Sequence, residues 1–262
     1  MKRLEAALDR WVYKDEEEDL ERPDLPRDIR TSLIERLGRV NDRSGYHRLF
    51  LKELEGLVFG LRAQDLAGPL KILDLGAGSG GLLRAIHRWA LRKNIPVELA
   101  GVDVSTDFLK EAGEQLAAEG IGARLFQGDV CFLDEIRDES FDLVVSSYTV
   151  HHLRSTGKVA SFFSEACRVA RLGWLIADLD RRVYAPIFAA AGALIFGGGF
   201  AILPDAVRSA RRAYRFSEIN LILDEIGKIQ NRNPMICTAY PGFPYWLVKG
   251  KKMGFPVDSP NR

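Results

Sequence analysis

The run ILDLGAGSGG, residues 72–81, sets a carboxylate, Asp74, two residues ahead of Gly76, with Gly78 and Gly81 following. Glycines after a strand let the backbone turn tightly and approach a ligand with no Cβ in the way. The helix that must follow offers unpaired N–H groups and the positive end of its dipole. The three glycines satisfy GxGxxG, so a nicotinamide or flavin dinucleotide enzyme is one reading. Asp74 argues against it, because a carboxylate beside the loop repels a pyrophosphate. A ligand with a cationic end is favoured there, such as the ammonium and sulfonium of S-adenosylmethionine.

Further polar groups recur at the ends of the next apolar runs. AGVDVS places Asp103 where a carboxylate can accept from both hydroxyls of a ribose, and FQGDV places Asp129 where an adenine amino group can donate. Val104 and Val130 follow them and can pack on adenine. SSYTVHHL, residues 146–153, carries Ser146, Tyr148 and the adjacent His151 and His152. A histidine titrates near neutral pH and suits a general base that takes a proton from an acceptor hydroxyl. One of the two is expected to point inward and the other to support the loop. Asp178 and Arg181 follow the fifth apolar run; Asp178 either orients an acceptor or caps the next helix. Tyr46 and His47, in a lead-in helix, are candidates for contact with the site.

These groups need a scaffold that brings strand ends together. Short apolar runs at 71–75, 96–104, 123–127, 141–147 and 173–179 alternate with helical patterns at 82–90, 107–119 and 159–170. That alternation implies βαβ units, a parallel doubly wound sheet and ligands at the carboxyl ends of its strands. An amphipathic helix over 216–226 and two strands, 235–240 and 245–249, complete the pattern. The four residues joining those strands permit only an antiparallel pair. Residues 1–67 read as a helical, polar lead-in or lid, with helices over 4–12, 27–37 and 46–61. The body spans 68–250, and 251–262 is a polar tail. The segment 14–24 holds seven acids and two bases and reads as a solvated face.

DLGAGSGG, VDVS, QGDV and FDLVVSSYTVHHL, in this order, resemble the class I S-adenosylmethionine-dependent methyltransferases. The resemblance implies a seven-stranded, mostly parallel Rossmann-like sheet with a C-terminal antiparallel hairpin. It implies S-adenosylmethionine as cofactor, with Asp74, Gly76 and Gly78 at its methionine part, Asp103 at the ribose, Asp129 and Val130 at the adenine and Ser146 near the methyl group. HHL, DLDR (178–181), the apolar insert and YRFSEINLIL resemble bacterial small-molecule methyltransferases associated with type III polyketide synthase clusters. That likeness implies secondary metabolism and a phenolic or lipid-like acceptor, methylated on oxygen or carbon. A non-catalytic S-adenosylmethionine-binding scaffold and an NAD(P)-dependent oxidoreductase are the competing classes.

Lys+Arg of 37 against Asp+Glu of 36 gives a net charge of +1, no electrostatic case for nucleic acid. Three scattered cysteines, Cys131, Cys167 and Cys237, without a CxxC, imply neither a disulfide framework nor a zinc site. With no apolar leader, they fit a cytoplasmic protein. The 22 residues 183–204 carry no charge. A membrane span there would split the sheet, so a buried cap over an apolar acceptor pocket is expected. Peripheral membrane contact, helped by four arginines against one acid over 205–215, and an oligomer interface are the alternatives.

Overall fold

The computed structural model describes residues 12–22, 24–60, 68–230, 236–239 and 245–251. After a short 3-10 turn, Asp19–Glu21, the lead-in forms α1 (Arg27–Arg43) and α2 (Tyr46–Phe59). The alternating unit then runs β1 (Leu70–Leu75), α3 (Gly81–Lys93), β2 (Val97–Asp103), α4 (Thr106–Ala118), β3 (Ala123–Gln127), β4 (Phe141–Ser147), α5 (Thr156–Val169) and β5 (Ala170–Leu179). The insert forms α6 (Ala185–Ile195) and α7 (Leu203–Arg212). α8 (Phe216–Gln230), β6 (Ile236–Ala239) and β7 (Tyr245–Lys251) complete the chain.

The sheet order is β3-β2-β1-β4-β5-β7-β6. β1 to β5 are parallel, and β7 lies antiparallel to both β5 and β6. Both faces of the central strands are covered, which is why they read as continuous apolar runs. Period-2 alternation still sorts their side chains. Leu73, Leu75, Val144 and Ile176 face α5 and α8 through Phe162, Phe163 and Ile219. Ile72, Leu143 and Leu175 face Phe50, Leu54 and Leu57 of α2 and Leu83 and Ile86 of α3. The lead-in helix α2 thus shares the sheet's own core. A third cluster joins Leu20, Leu33 and Ile34 of the lead-in to Ala193 and Ile202 of the insert.

Helix ends follow local chemistry. Gly80 (φ 77°) precedes α3, and Asn94 (φ 52°) closes it in the left-handed conformation, releasing the chain to β2. Ser105 and Ser155 cap α4 and α5 by accepting from Phe108 N (3.3 Å) and Lys158 N (3.2 Å).

Two expectations are corrected. The acidic stretch 14–24 is not simply a solvated face. Glu18 and Leu20 are buried, because the segment docks on α7: Asp205 Oδ1 accepts from Asp19 N at 2.7 Å. The insert is not a buried cap either. It is two helices broken at Gly197–Gly199, and α6 turns Ala185 and Ala193 inward while Ile187, Phe188, Leu194 and Ile195 face outward. No helix among the described residues is long and apolar enough to cross a membrane. The expected helix over 4–12, the 241–244 connection and most of the tail lie outside the described residues.

Gly101, in the middle of β2, faces Ala77 of the glycine loop. A Cβ there would stand 2.7 Å from the Ala77 Cβ and 3.2 Å from Leu83 Cδ1. Gly101→Ala is expected to cost about 1–3 kcal/mol through overpacking, read as a lowered urea midpoint with an unchanged slope.

Candidate active site

The glycine loop leaves β1 and folds back at once. Gly76 N and Ala77 N both donate to Val102 O, at 2.8 and 2.9 Å. Gly76 is left-handed (φ 76°), and a Cβ on it would collide with the Thr149 side chain, so only glycine fits. Gly78 (φ 51°) has open space where a Cβ would be, so that side of the loop is clear for a ligand to approach. Its N–H donates to Asp103 Oδ2 (2.9 Å), and Ser105 N donates to Asp103 Oδ1 (2.9 Å). The tip of β2 is therefore rigidly tied to the loop.

Asp74 is 1% exposed, and its Oδ1 has no hydrogen-bond partner among the described residues. A buried, unpaired carboxylate is costly unless something cationic completes it. Burial, aided by the negative Asp103, pushes its pKa up to about 8. Asp129 is exposed, with Oδ1 accepting from Cys131 N at 2.9 Å, while Val130 is buried in the core. Val104 stands out into solvent beside Asp103. The structure corrects one position: Ser146 has no exposed surface, and its hydroxyl donates to Leu75 O at 2.6 Å. It ties β4 to β1 instead of opening toward the methyl group.

The two histidines separate as expected, His151 inward and His152 partly exposed. His151 Nδ1 lies 2.7 Å from Asp178 Oδ1, and His151 N donates to Asp178 Oδ2 at 3.0 Å. Asp178 also accepts from Leu179 N at 2.6 Å, so it fixes the imidazole and caps no helix. The other ring nitrogen, Nε2, faces Glu18 Oε1 at 3.6 Å. His152 Nδ1 meets Glu21 Oε1 at 2.6 Å and Arg212 Nη2 at 2.8 Å. Arg212, itself buried, reaches Glu18 at 2.8 Å and both oxygens of Glu21 at 2.8 and 2.9 Å. Glu18, His151 and His152 are close enough together to hold a metal ion. Arg212 brings its own cation to the same place, which disfavours a second.

Burial alone would discharge His151, but Asp178 and Glu18 outweigh it and raise its pKa to about 9. Burial would likewise protonate Glu18, yet His151, His152 and Arg212 hold it down at about 2.

A tyrosine cluster stands beside this network. The Tyr46 and Tyr148 rings are 4.2 Å apart, and Tyr245 lies 4.9 Å from Tyr46. Tyr46 donates to Ala177 O at 3.1 Å, and the Tyr148 and Tyr245 hydroxyls are hydrogen-bonded. Tyr148 is left-handed (φ 56°), a strained conformation for an aromatic residue that concentrates at functional sites. Burial, and behind it the negative Asp178, raises the Tyr46 phenol well above its usual pKa. A small cleft lined by Leu49, Phe50, Trp246 and Leu247 runs up to Tyr46 and Tyr245. His47 packs near Gly81 and pairs with Asp42 at 3.4 Å. Arg181 is structural, donating to Ala213 O and pairing with Glu218 at 2.8 Å.

Sequence reasoning missed Glu18, Glu21, Arg212 and Tyr245. Tyr245 had a signal: an antiparallel last strand brings its first residue to the carboxyl end of β5, and Tyr245 sits opposite Leu179. The three charged residues had none.

Residues 72–173 match the family profile described as "Methyltransferase domain". The unpartnered Asp74 oxygen beside the open side of Gly78 fits the cationic amino-acid end of S-adenosylmethionine. The chain is 32% identical over 162 residues to a demethylmenaquinone methyltransferase of Roseiflexus castenholzii, covering 59% of this chain and 63% of that protein. It is 38% identical over 95 residues to a release factor glutamine methyltransferase of Lactococcus lactis, covering 36% and 33%. The matched regions thus span less than two thirds of these curated relatives. Among solved structures, a S-adenosylmethionine-dependent methyltransferase from Aquifex aeolicus aligns over 84% of this chain and 97% of its own (TM-score 0.55, 17% identity). The plantazolicin methyltransferase BpumL, solved with a desmethyl plantazolicin analogue and S-adenosylhomocysteine, aligns over 96% and 99% (TM-score 0.57, 14% identity). At such identities these two share the Rossmann-like methyltransferase fold with this chain.

Two outcomes follow from the charges. With Asp74 at about 8 in the free protein, binding a ligand whose ammonium ionises it releases close to one proton at about pH 7. Calorimetry of S-adenosylhomocysteine binding in buffers of different ionisation enthalpy reads this release, and Asp74→Asn abolishes it. For His151, raised from 6.5 to about 9 on folding, the stabilising contribution is complete below pH 6.5 and is lost as pH rises through 9. The stability difference between wild type and His151→Gln should therefore shrink over that window, measured by urea unfolding.

Proposed function

We propose that this chain transfers a methyl group from S-adenosylmethionine to the oxygen or carbon of a small apolar acceptor, phenolic or lipid-like. The observation that carries the proposal is the buried His151–Asp178 pair beside the cluster of Tyr46, Tyr148 and Tyr245. The sequence resemblance to methyltransferases beside type III polyketide synthases supports a phenolic acceptor. So does the similarity to a relative named for demethylmenaquinone.

When bound, S-adenosylmethionine supplies a methyl group already activated on sulfonium. Asp74, Gly76 and Gly78 would hold its methionine part, Asp103 the ribose, and Asp129 with the exposed Val104 the adenine, while Val130 backs that site from the core. The remaining work is positioning and proton removal. The tyrosine rings exclude water and orient a planar acceptor by ring packing. Asp178 fixes His151 Nδ1–H, leaving Nε2 to take the acceptor's proton.

In the structure as it stands, Glu18 covers Nε2 and keeps the ring charged. The segment carrying Glu18 and Glu21 therefore acts as a lid over the base. When it lifts, His151 loses one carboxylate neighbour, its pKa falls, and it becomes a base near neutral pH.

The test is a methylation screen with phenols, quinols and long-chain hydroxy compounds, against polar amines and amino acids as controls. Turnover of the apolar set supports the proposal, and turnover confined to the polar set sinks it. His151→Asn is expected to lower kcat by about 10²–10⁴ while S-adenosylhomocysteine affinity is retained. Wild-type activity should rise with pH toward about 9, and Glu18→Gln should move that midpoint downward. A profile indifferent to Glu18→Gln would remove His151 as the base.

A further inference from the structure

The outward face of the insert is made of large apolar side chains. Ile187 and Phe188 sit one turn-pair before Leu194 and Ile195, so all four share one face of α6, and Ile187 and Ile195 are 71% and 74% exposed. Tyr184 packs edge-on to Phe188 at 5.4 Å. The loop after α6 carries Phe200 at its tip, 83% exposed. Large apolar side chains exposed together on one helix face, with another on the adjoining loop, mark an interaction site.

The rim of the loop is cationic. Arg36, Arg39 and Arg43 recur at three- and four-residue spacing on one face of α1. Arg36 Nη1 donates to Gly198 O at 3.2 Å. Arg43 Nη1 lies 2.9 Å from where a Cβ on Gly197 would stand. Among the described residues Arg39 and Arg43 have no carboxylate partner, and the neighbouring Asp42 is turned to His47.

We propose that this surface docks on an anionic lipid membrane, with α6 and Phe200 in the apolar boundary and the α1 arginines on the headgroups. Large apolar side chains edged by guanidiniums and backed by an interfacial tyrosine match that environment. A second copy fits less well, because a two-fold contact through this patch brings the arginine rows of both copies together. The proposal concerns the surface alone and stands whichever acceptor is methylated.

The test uses the full chain and sedimented vesicles of phosphatidylcholine with and without phosphatidylglycerol. Binding is expected only with the anionic lipid, falling at least tenfold when salt rises from about 0.1 to about 0.5 M. Ile195→Ser with Phe200→Ser, and separately Arg39→Glu with Arg43→Glu, should each weaken it about tenfold or more. Circular dichroism and S-adenosylhomocysteine affinity should stay at wild-type values in both variants, which separates loss of docking from loss of fold or of the cofactor site. Equal binding to neutral vesicles, no binding to either, or a dimer in ultracentrifugation that the apolar variant dissociates would each overturn the proposal. The salt and lipid dependence of the wild type decides the matter even if a variant fails to fold.

Discussion

Arg212 is the residue on which the arrangement of the strand tips depends. It is buried at the end of α7, and a buried guanidinium persists only when its charge and its fork of donors are answered. Glu18 and Glu21 answer it, and through Glu21 and the imidazoles it is coupled to the turn after β4 and to Asp178 on β5. One ion cluster thereby joins the lead-in and the insert to the paired ends of β4 and β5. Removing a single member would strand a charge in low dielectric, typically costing about 3–5 kcal/mol. The cluster therefore holds or releases largely as a unit.

Asp74 is the complementary case, a charge site left open. The sheet isolates it from water, the glycine loop leaves an open side beside it, and no protein donor serves its Oδ1 among the described residues. The two sites follow opposite logic on the same sheet edge. One is internally satisfied, while the other is unsatisfied and recruits what completes it.

Much of this was legible in the sequence, for local reasons. The strand–loop–helix run around Gly76 and Gly78, Asp103 and Asp129 at later strand ends, and the C-terminal hairpin each follow from patterns a few residues long. His151 was legible as the inward member of a pair, but the charge state imposed on it was not. Its Glu18 neighbour lies 133 positions earlier and Arg212 lies 194 positions beyond Glu18, and no periodicity encodes a contact at that range. The insert misled for a different reason. An uncharged run says how apolar a segment is, but not which way it faces. Here alanine and glycine make the close contacts with α1 and α7, so the bulky residues are the ones turned outward.

The tyrosine cluster draws one ring from α2, one from the end of β4 and one from the first residue of β7. Tyr46 emerges from the ribosome 199 residues ahead of Tyr245. β5, at the centre of the acceptor side, has no strand on its far edge until β7 arrives. The glycine loop and the strands around it, β1 to β4, are therefore synthesised well before the last ring of the cluster. The wall formed by the three tyrosines is thus completed only after every strand around the glycine loop has been made.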